Sequence, residues 1–504
     1  MKSVRFLLPA MLALSNVAWG QSAEAVAVGQ HAEAIAKAEL QNKRQATNPQ
    51  SVVDAFGTAI KQRWSYYRAN GVDFDAELAR LRQRVSDDAM TLDATERELQ
   101  RILMLGIDGH ANVANVSYPR GSLPLSLGPV GMRLAAIKPD YSELLNPDTP
   151  YVESIAGVDI EQWLQLAARY VAKGSPQLVR SRGARMLARD FRFLQEAGGF
   201  PRKDSVEVVL VSADNARRNV MQLEVTTQGA AKALGNVEKV EQSLGPSRWL
   251  DDGQTGYLRI AKMDDAAAGE VDTWMRTFRN AKALVVDIRN NGGGSRDALL
   301  RLYSYLAAPN DPPRVINAAV YRNFVDYKQD HLTSRFMYRE NDPHWSTAER
   351  RAIAQFKKSF VPQWAPPAGE FSDWHYLALS RDKTPGTYHF NKPVVVLSNE
   401  RIFSAADIFM AGMHSLPNVT LLGVPSGGGS ALVVSVPLQD GASVLKIGSM
   451  ISYQADGRLF DGVGVPVDVR VEPIPEFYLA YGKAQDNMLA AAQQFLLGQQ
   501  TARH

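Results

Sequence analysis

The stretch Pro393-Val394-Val395-Val396-Leu397-Ser398-Asn399-Glu400-Arg401-Ile402-Phe403-Ser404-Ala405-Ala406-Asp407-Ile408-Phe409 organises the reading of the chain. Its unbroken apolar run, with three consecutive valines, reads as a strand buried on both faces. The run breaks at Ser398-Asn399-Glu400, and a helix with apolar Ile408, Phe409, Ala411 and Gly412 begins near Ser404. Ser404 therefore stands at a strand-to-helix turn. The first free N–H groups of the helix and the positive end of its dipole lie there and stabilise negative charge beside the hydroxyl. Two readings are open at this point, a nucleophile or an ordinary serine N-cap.

The same rhythm occurs upstream. Thr255 to Met263 reads as a strand, Ala266 to Asn280 as a helix and Ala283 to Ile288 as a buried strand. Asp287-Ile288-Arg289-Asn290-Asn291-Gly292-Gly293-Gly294-Ser295 follows, then a helix from Arg296 to Ala307 with Leu299, Leu300, Leu302, Tyr303 and Leu306 as its apolar positions. Strands alternating with helices predict an α/β core. The triple glycine resembles a phosphate cradle, but it lacks the Gly-Lys-Ser/Thr ending of a nucleotide loop and the spacing of a dinucleotide fingerprint. It suits an oxyanion hole, where a Cβ would hold a substrate carbonyl off the backbone.

Ahead of this core, residues 49–118 read as a helical subdomain. Val53, Phe56, Ile60 and Trp64 share one face; Phe74, Leu78, Leu81 and Val85 line a second helix; a third starts near Asp93, with Glu96 as the partner of a capping box. It delivers the chain to Asp108-Gly109-His110. Residues 119–230 change to short β-rich runs (Gly131 to Ile137, Val206 to Val211, Val220 to Thr226) around a helix from Ile160 to Ala172, a separate module. The core spans 231–475, with β hairpins after Ser430. A C-terminal helical segment, 476–504, turns helical from about Ala484. Within the core, 321–391 is an aromatic-rich insertion, read either as a lid over a cleft or as an elaboration packed on the core.

The 504 residues are 45% hydrophobic and 22% charged, the balance of an ordinary soluble protein. Net charge is +3, and Lys2 and Arg5 lie in the first twenty residues, leaving 3 − 2 = +1 for the rest. That balance gives no support to nucleic acid or an anionic membrane as partner. The absence of cysteine removes disulfides, thiolate metal sites and cysteine nucleophiles. Residues 1–20, basic then apolar and ending Ala18-Trp19-Gly20, read as a cleaved signal peptide, and 21–48 as a mobile leader. The apolar run of about a dozen residues is too short to span a bilayer, and no later run is long enough. A periplasmic or secreted protein without stable membrane insertion is expected. No histidine or acid cluster has metal-ligand spacing, so neither metal nor cofactor is expected. Of the eight histidines, His110 alone sits in a Gly-flanked turn after a well-formed helix. It reads as a base or as a packed, solvated residue.

Taken in order, Asp108-Gly109-His110, the 287–294 run, Phe403 to Phe409, Gly423-Val424-Pro425-Ser426-Gly427-Gly428-Gly429 and Gly462-Val463-Gly464-Val465-Pro466-Val467-Asp468 resemble the tail-specific (C-terminal processing) serine peptidases and their tricorn-core branch. The resemblance covers roughly residues 50 to 475. It implies an α/β fold of the crotonase/Clp-protease kind built from ββα units, with 119–230 a diverged PDZ-like module. It marks Ser404 as nucleophile and the N–H groups of Ala405 and Gly293, with Gly292 second, as the oxyanion hole. Tail-specific members use a Ser–Lys dyad; here Gly429 stands at the lysine's place and no lysine follows until Lys446. A serine hydroxyl needs a base. The tricorn branch takes it from histidine in the early segment, which His110 matches, so turnover should depend on a base titrating near neutrality. Asp461 and Asp108 compete as the carboxylate that orients it. The expected function is an exported serine peptidase with a Ser-His pair acting on peptide or protein substrates, and a homo-oligomer stays open. The alternative is a non-catalytic binder of an apolar ligand on the same fold. An acyl-CoA enzyme fits the fold but not the export signal.

Overall fold

Strand Val394–Ser398 lies near the middle of a six-stranded sheet whose order is Val469–Arg470, Val419–Gly423, Val394–Ser398, Ala283–Asp287, Thr255–Arg259 and Arg248–Trp249. All pairings are parallel except the last, which is antiparallel. The computed structural model describes residues 44, 47–87, 90–227, 244–324, 332–382, 386–439, 443–479 and 484–501. The expected signal peptide, 1–20, lies outside them, as does most of the 21–48 leader. At the leader's end Arg44 bonds Asp93 and Glu96, and Asn48 caps helix Pro49–Arg63 through a 2.9 Å bond from Gln50 N–H.

The valine run is apolar on both faces because both are covered. Val394 and Val396 pack with Leu284, Val286, Leu299, Ile408 and Phe409, under helices Ala267–Thr277, Asp297–Leu306 and Ala405–His414. Val395 and Leu397 face the other way, onto Met488, Ala492 and Leu496 of helix Asn487–Thr501. Each such burial is worth roughly 1.5–3 kcal/mol. A one-residue slip would exchange the two faces, so the register is pinned.

Three further sheets surround this core. Tyr338–Arg339, His375–Leu379, Arg314–Tyr321 and Met450–Gln454 pair antiparallel. Asn112–Ala114, Val444–Gly448 and Val433–Pro437 form a small antiparallel sheet. The third, Ser126–Val130, Arg133–Ile137, Tyr151–Ile155, Ser205–Val211 and Arg218–Glu224, has its own core with Trp163, Leu187 and Phe191 of the helices beside it. The 321–391 segment supplies His375–Leu379 to the interior of a sheet and buries Trp345, Phe371 and Tyr376, so these aromatics fill core. Among the described residues no helix is long and apolar enough to cross a membrane.

The expected capping box at Asp93 and Glu96 is replaced by a different arrangement. Thr91 caps helix Leu92–Leu103, its hydroxyl accepting from Ala94 N–H at 3.3 Å. Glu96 is fully buried and bonds Arg44 and the Ser443 hydroxyl. A buried carboxylate needs a counter-charge more than an exposed helix end needs a cap.

Candidate active site

In the parallel pairing of Ala283–Asp287 with Val394–Ser398, Asp287 stands opposite Leu397. The loops that leave the carboxyl ends of the two strands, 288–296 and 399–404, therefore start side by side, where open parallel sheets place their sites. They are stitched together. Asn290 N–H donates to Asn399 Oδ1 at 2.9 Å, Asn399 Nδ2 to Asn290 Oδ1 at 2.8 Å, and Phe403 N–H to the Asn291 carbonyl at 3.0 Å.

Ser404 precedes helix Ala405–His414 with φ 62° and ψ −123°, and its side chain makes no capping hydrogen bond. A non-glycine residue in that region costs about 1–3 kcal/mol and persists only where its surroundings impose it. The ordinary N-cap geometry, an extended backbone with the hydroxyl on a helix N–H, is absent. The hydroxyl is left available, and the adjacent Ala405 N–H has no partner within the protein among the described residues.

The glycine loop lies against this turn. A Cβ on Gly293 (φ 95°) would stand 2.7 Å from Ala405 N and 2.8 Å from Ser404 Cβ. Only glycine permits that approach. Gly293 N–H is already used, however, donating to Asn291 Oδ1 at 2.9 Å. Gly292 is exposed, faces open space and has no partner for its N–H among the described residues. Among the described residues, the N–H groups of Ala405 and Gly292 are thus left without a partner, whereas that of Gly293 is free only if Asn291 releases it.

His110 comes to the same place. Its ring packs at a tilt against that of Phe403, the residue before Ser404, with centroids 4.5 Å apart and planes at 38°. No hydrogen bond joins the His110 ring to the Ser404 hydroxyl, and the buried Nδ1 is without a partner. A ring nitrogen of His110 and carboxylate oxygens of Asp108 and Asp461 lie within 4.8 Å of one another. These three alone, among the described residues, are close enough together to hold an ion, but both carboxylates are engaged by the protein. Asp108 accepts from Trp64 Nε1, Gly448 N–H and His110 N–H at 2.7–2.9 Å. Asp461 accepts from Tyr66 Oη (2.8 Å), Gly109 N–H (3.0 Å) and Ser430 N–H (3.1 Å).

Burial, then the like charge of Asp108, pushes Asp461 up to about 7, and burial raises Asp108 as well. Burial, then the guanidinium groups of Arg182 and Arg335, pushes His110 down to about 3. The expectation that His110 itself titrates near neutrality is thereby corrected: the ring is neutral at ordinary pH, and of the groups beside it Asp461 is the one pushed up to about 7.

Several contributors were not assigned from sequence. A Cβ on Gly429 would stand 2.2 Å from Phe403 Cζ, so the phenyl ring fills the space a lysine would need. Lys446 is exposed on the strand opposite Asn112, and Lys173 Nζ donates to the Ala168 carbonyl at 2.6 Å. Asp407, fully buried one turn past Ser404, accepts from Ser426 Oγ (2.5 Å), Gly428 N–H (3.1 Å) and Gly429 N–H (3.2 Å) and fixes the 426–429 loop. Arg182 donates to the carbonyls of Gly109, Ala172 and Lys173 at 2.8–3.2 Å and lies 5.0 Å over the Phe403 ring. The Asp407 motif was visible in the sequence; the role of Arg182 needs the third dimension.

Comparison with known proteins shows what the chain is similar to. Residues 254–471 match the model of peptidase family S41. A protein of Chlamydia trachomatis serovar D is 24% identical over 281 residues, 46% of each chain. The carboxy-terminal-processing protease of Bartonella bacilliformis is 30% identical over 91 residues, 18% of this chain and 21% of its own. The chain spans about half the length, or less, of the curated relatives it matches. Mature CPAF shares the fold with a TM-score of 0.59 at 15% identity over 90% of this chain and 98% of its own. Its complex with lactacystin does so over 89% and 96%. The similarity to peptidase family S41 thus lies in the core of this chain, residues 254–471.

Proposed function

We propose that the protein is an exported serine peptidase that cleaves peptide bonds through an acyl-enzyme. The observation that carries this reading is Ser404, held at positive φ with an uncommitted hydroxyl beside the free Ala405 N–H. Ser404 Oγ attacks the carbonyl carbon, and its proton passes to His110. The oxyanion is met by Ala405 N–H with Gly292, or with Gly293 once Asn291 turns away. Protonated His110 then returns the proton to the leaving amine. Asp461 and Asp108, when ionised, stabilise the imidazolium and hold the ring. Reaching Ser404 requires the ring to shift from its place against Phe403, a rotamer change of the kind that binding commonly brings. The basic, then apolar, segment at 1–20 supports export.

A fluorophosphonate probe should label the wild-type protein, recovered with Gln21 at its N-terminus, and should not label Ser404→Ala. Undiminished labelling of that variant would place the nucleophile elsewhere. The labelling rate should rise with pH through about 7, because Asp461 is protonated below that value and anionic above it. In Asp461→Asn this limb should flatten; an unchanged limb would assign the titration to another group.

A further inference from the structure

Strand Val433–Pro437 is an edge of the small antiparallel sheet and pairs with Val444–Gly448 alone. Leu432 C=O accepts from Ser449 N–H at 2.8 Å, and Leu438 N–H donates to Ser443 C=O at 3.0 Å. Every second residue from 432 to 438 therefore turns its backbone inward. The N–H and C=O groups of Val433 and Ser435, and the C=O of Pro437, point outward and have no partner among the described residues. The strand carries no charge, and Val433 is 39% exposed. An uncharged apolar edge invites pairing, and proteins ordinarily cover it.

Beside this edge lies a groove of about 540 Å³. Ser51, Asp54, Thr58 and Gln62, on one face of helix Pro49–Arg63, line it together with Val436 and Gln439. Val434 and Val436 pack toward the helix but stay half-buried, since no further strand completes their layer.

The chain itself enters the fold here. Arg44 bonds Glu96, Glu96 accepts from the Ser443 hydroxyl, and Ser443 C=O holds Leu438 N–H, next to Gln439 in the groove. Asn48 caps the helix whose Ser51 lines the same groove. Residues 21–43, outside the described residues, thus join the fold beside the open edge. Their run Ala25-Val26-Ala27-Val28 would place two valines on one face of an extended chain, the spacing of Val434 and Val436. The sixteen residues from Val28 to Arg44 reach up to about 50 Å, against roughly 17 Å for the edge.

We propose that residues 25–28 add as a strand to the outer edge of Val433–Pro437, with Val26 and Val28 entering the groove beside helix Pro49–Arg63. Main-chain bonds to Val433 and Ser435 supply the pairing, and the two valines set its register. This docking involves neither Ser404 nor His110 and is independent of the peptidase reading.

Hydrogen–deuterium exchange on the full chain, resolved to single amides over 431–438, tests it. The double variant Val26→Asp with Val28→Asp should speed exchange at the Val433 and Ser435 amides by about tenfold or more over wild type, leaving those of Val434 and Val436 unchanged. Equal rates in the two proteins overturn the docking. Wild-type protection that falls on dilution assigns the edge to a second copy of the chain and overturns it too. If all four amides speed up together, Ser435→Pro decides, since it removes an outward donor without costing a ladder bond. The amides of 25–28 should then exchange about tenfold faster than in wild type, and an unchanged rate there overturns the docking.

Discussion

Replacing His110 by Ala should lower kcat/KM by about 10²–10⁴-fold, the usual worth of a positioned general base. The variant should fold, because the imidazole contributes little to the framework. Its Nδ1 has no partner, and among the described residues its one ring contact is the tilted packing against Phe403. The segment is held instead by its backbone and neighbours. Gly109 N–H bonds Asp461, Arg182 grips the Gly109 carbonyl, and Asp108 is anchored by Trp64 and Gly448. The loss should therefore fall on kcat more than on KM, with the thermal midpoint moving by no more than a few degrees. Steady-state kinetics on one quenched peptide, with a melting curve on the same preparation, separate the two effects. A variant as active as wild type would remove the imidazole from the mechanism.

Arg289→Met should destabilise the protein by about 3–5 kcal/mol, the cost of leaving a buried charge without its partner. Arg289 and Asp287 are both fully buried, and Arg289 also forms a bidentate pair with Asp486 just before the C-terminal helix. Burial alone would raise Asp287, but Arg289 and Arg259 override it and hold the carboxyl at about 2. A carboxylate depressed in this way contributes stability above its ordinary value near 4, and that contribution is lost as pH falls through about 2. The deficit of Arg289→Met should accordingly be full at pH 7 and shrink in acid. Urea unfolding at the two pH values measures it. A deficit under about 1 kcal/mol at pH 7 would mean that Arg259, 3.8 Å from Asp287, already compensates.

The parallel core was legible because the period of its strands differs from that of its helices, and because Val394 to Leu397 offers no polar face to water. The turn at Ser404 followed from where that run stops. What the sequence could not convey is which donors are already spent. Gly293 was the expected oxyanion donor on its position in the motif, yet Asn291, two residues earlier, occupies its N–H. The choice between Gly292 and Gly293 depends on one side-chain rotamer, which no spacing encodes. Gly429 announced the missing lysine, but the reason, a phenyl ring from Phe403 in the lysine's place, joins residues that pattern alone does not connect. The charge state of His110 depends on Arg182 and Arg335, which approach it from 72 and 225 residues along the chain.

The most direct measurement is a crystal structure of the protein after reaction with the fluorophosphonate. The account predicts phosphorus bonded to Ser404 Oγ, with its oxygen about 2.7–3.1 Å from Ala405 N and from a nitrogen of Gly292 or Gly293. It also predicts a His110 ring nitrogen within about 3 Å of Ser404 Oγ. A label on another residue, or an imidazole still packed against Phe403 with both nitrogens out of reach, would contradict it.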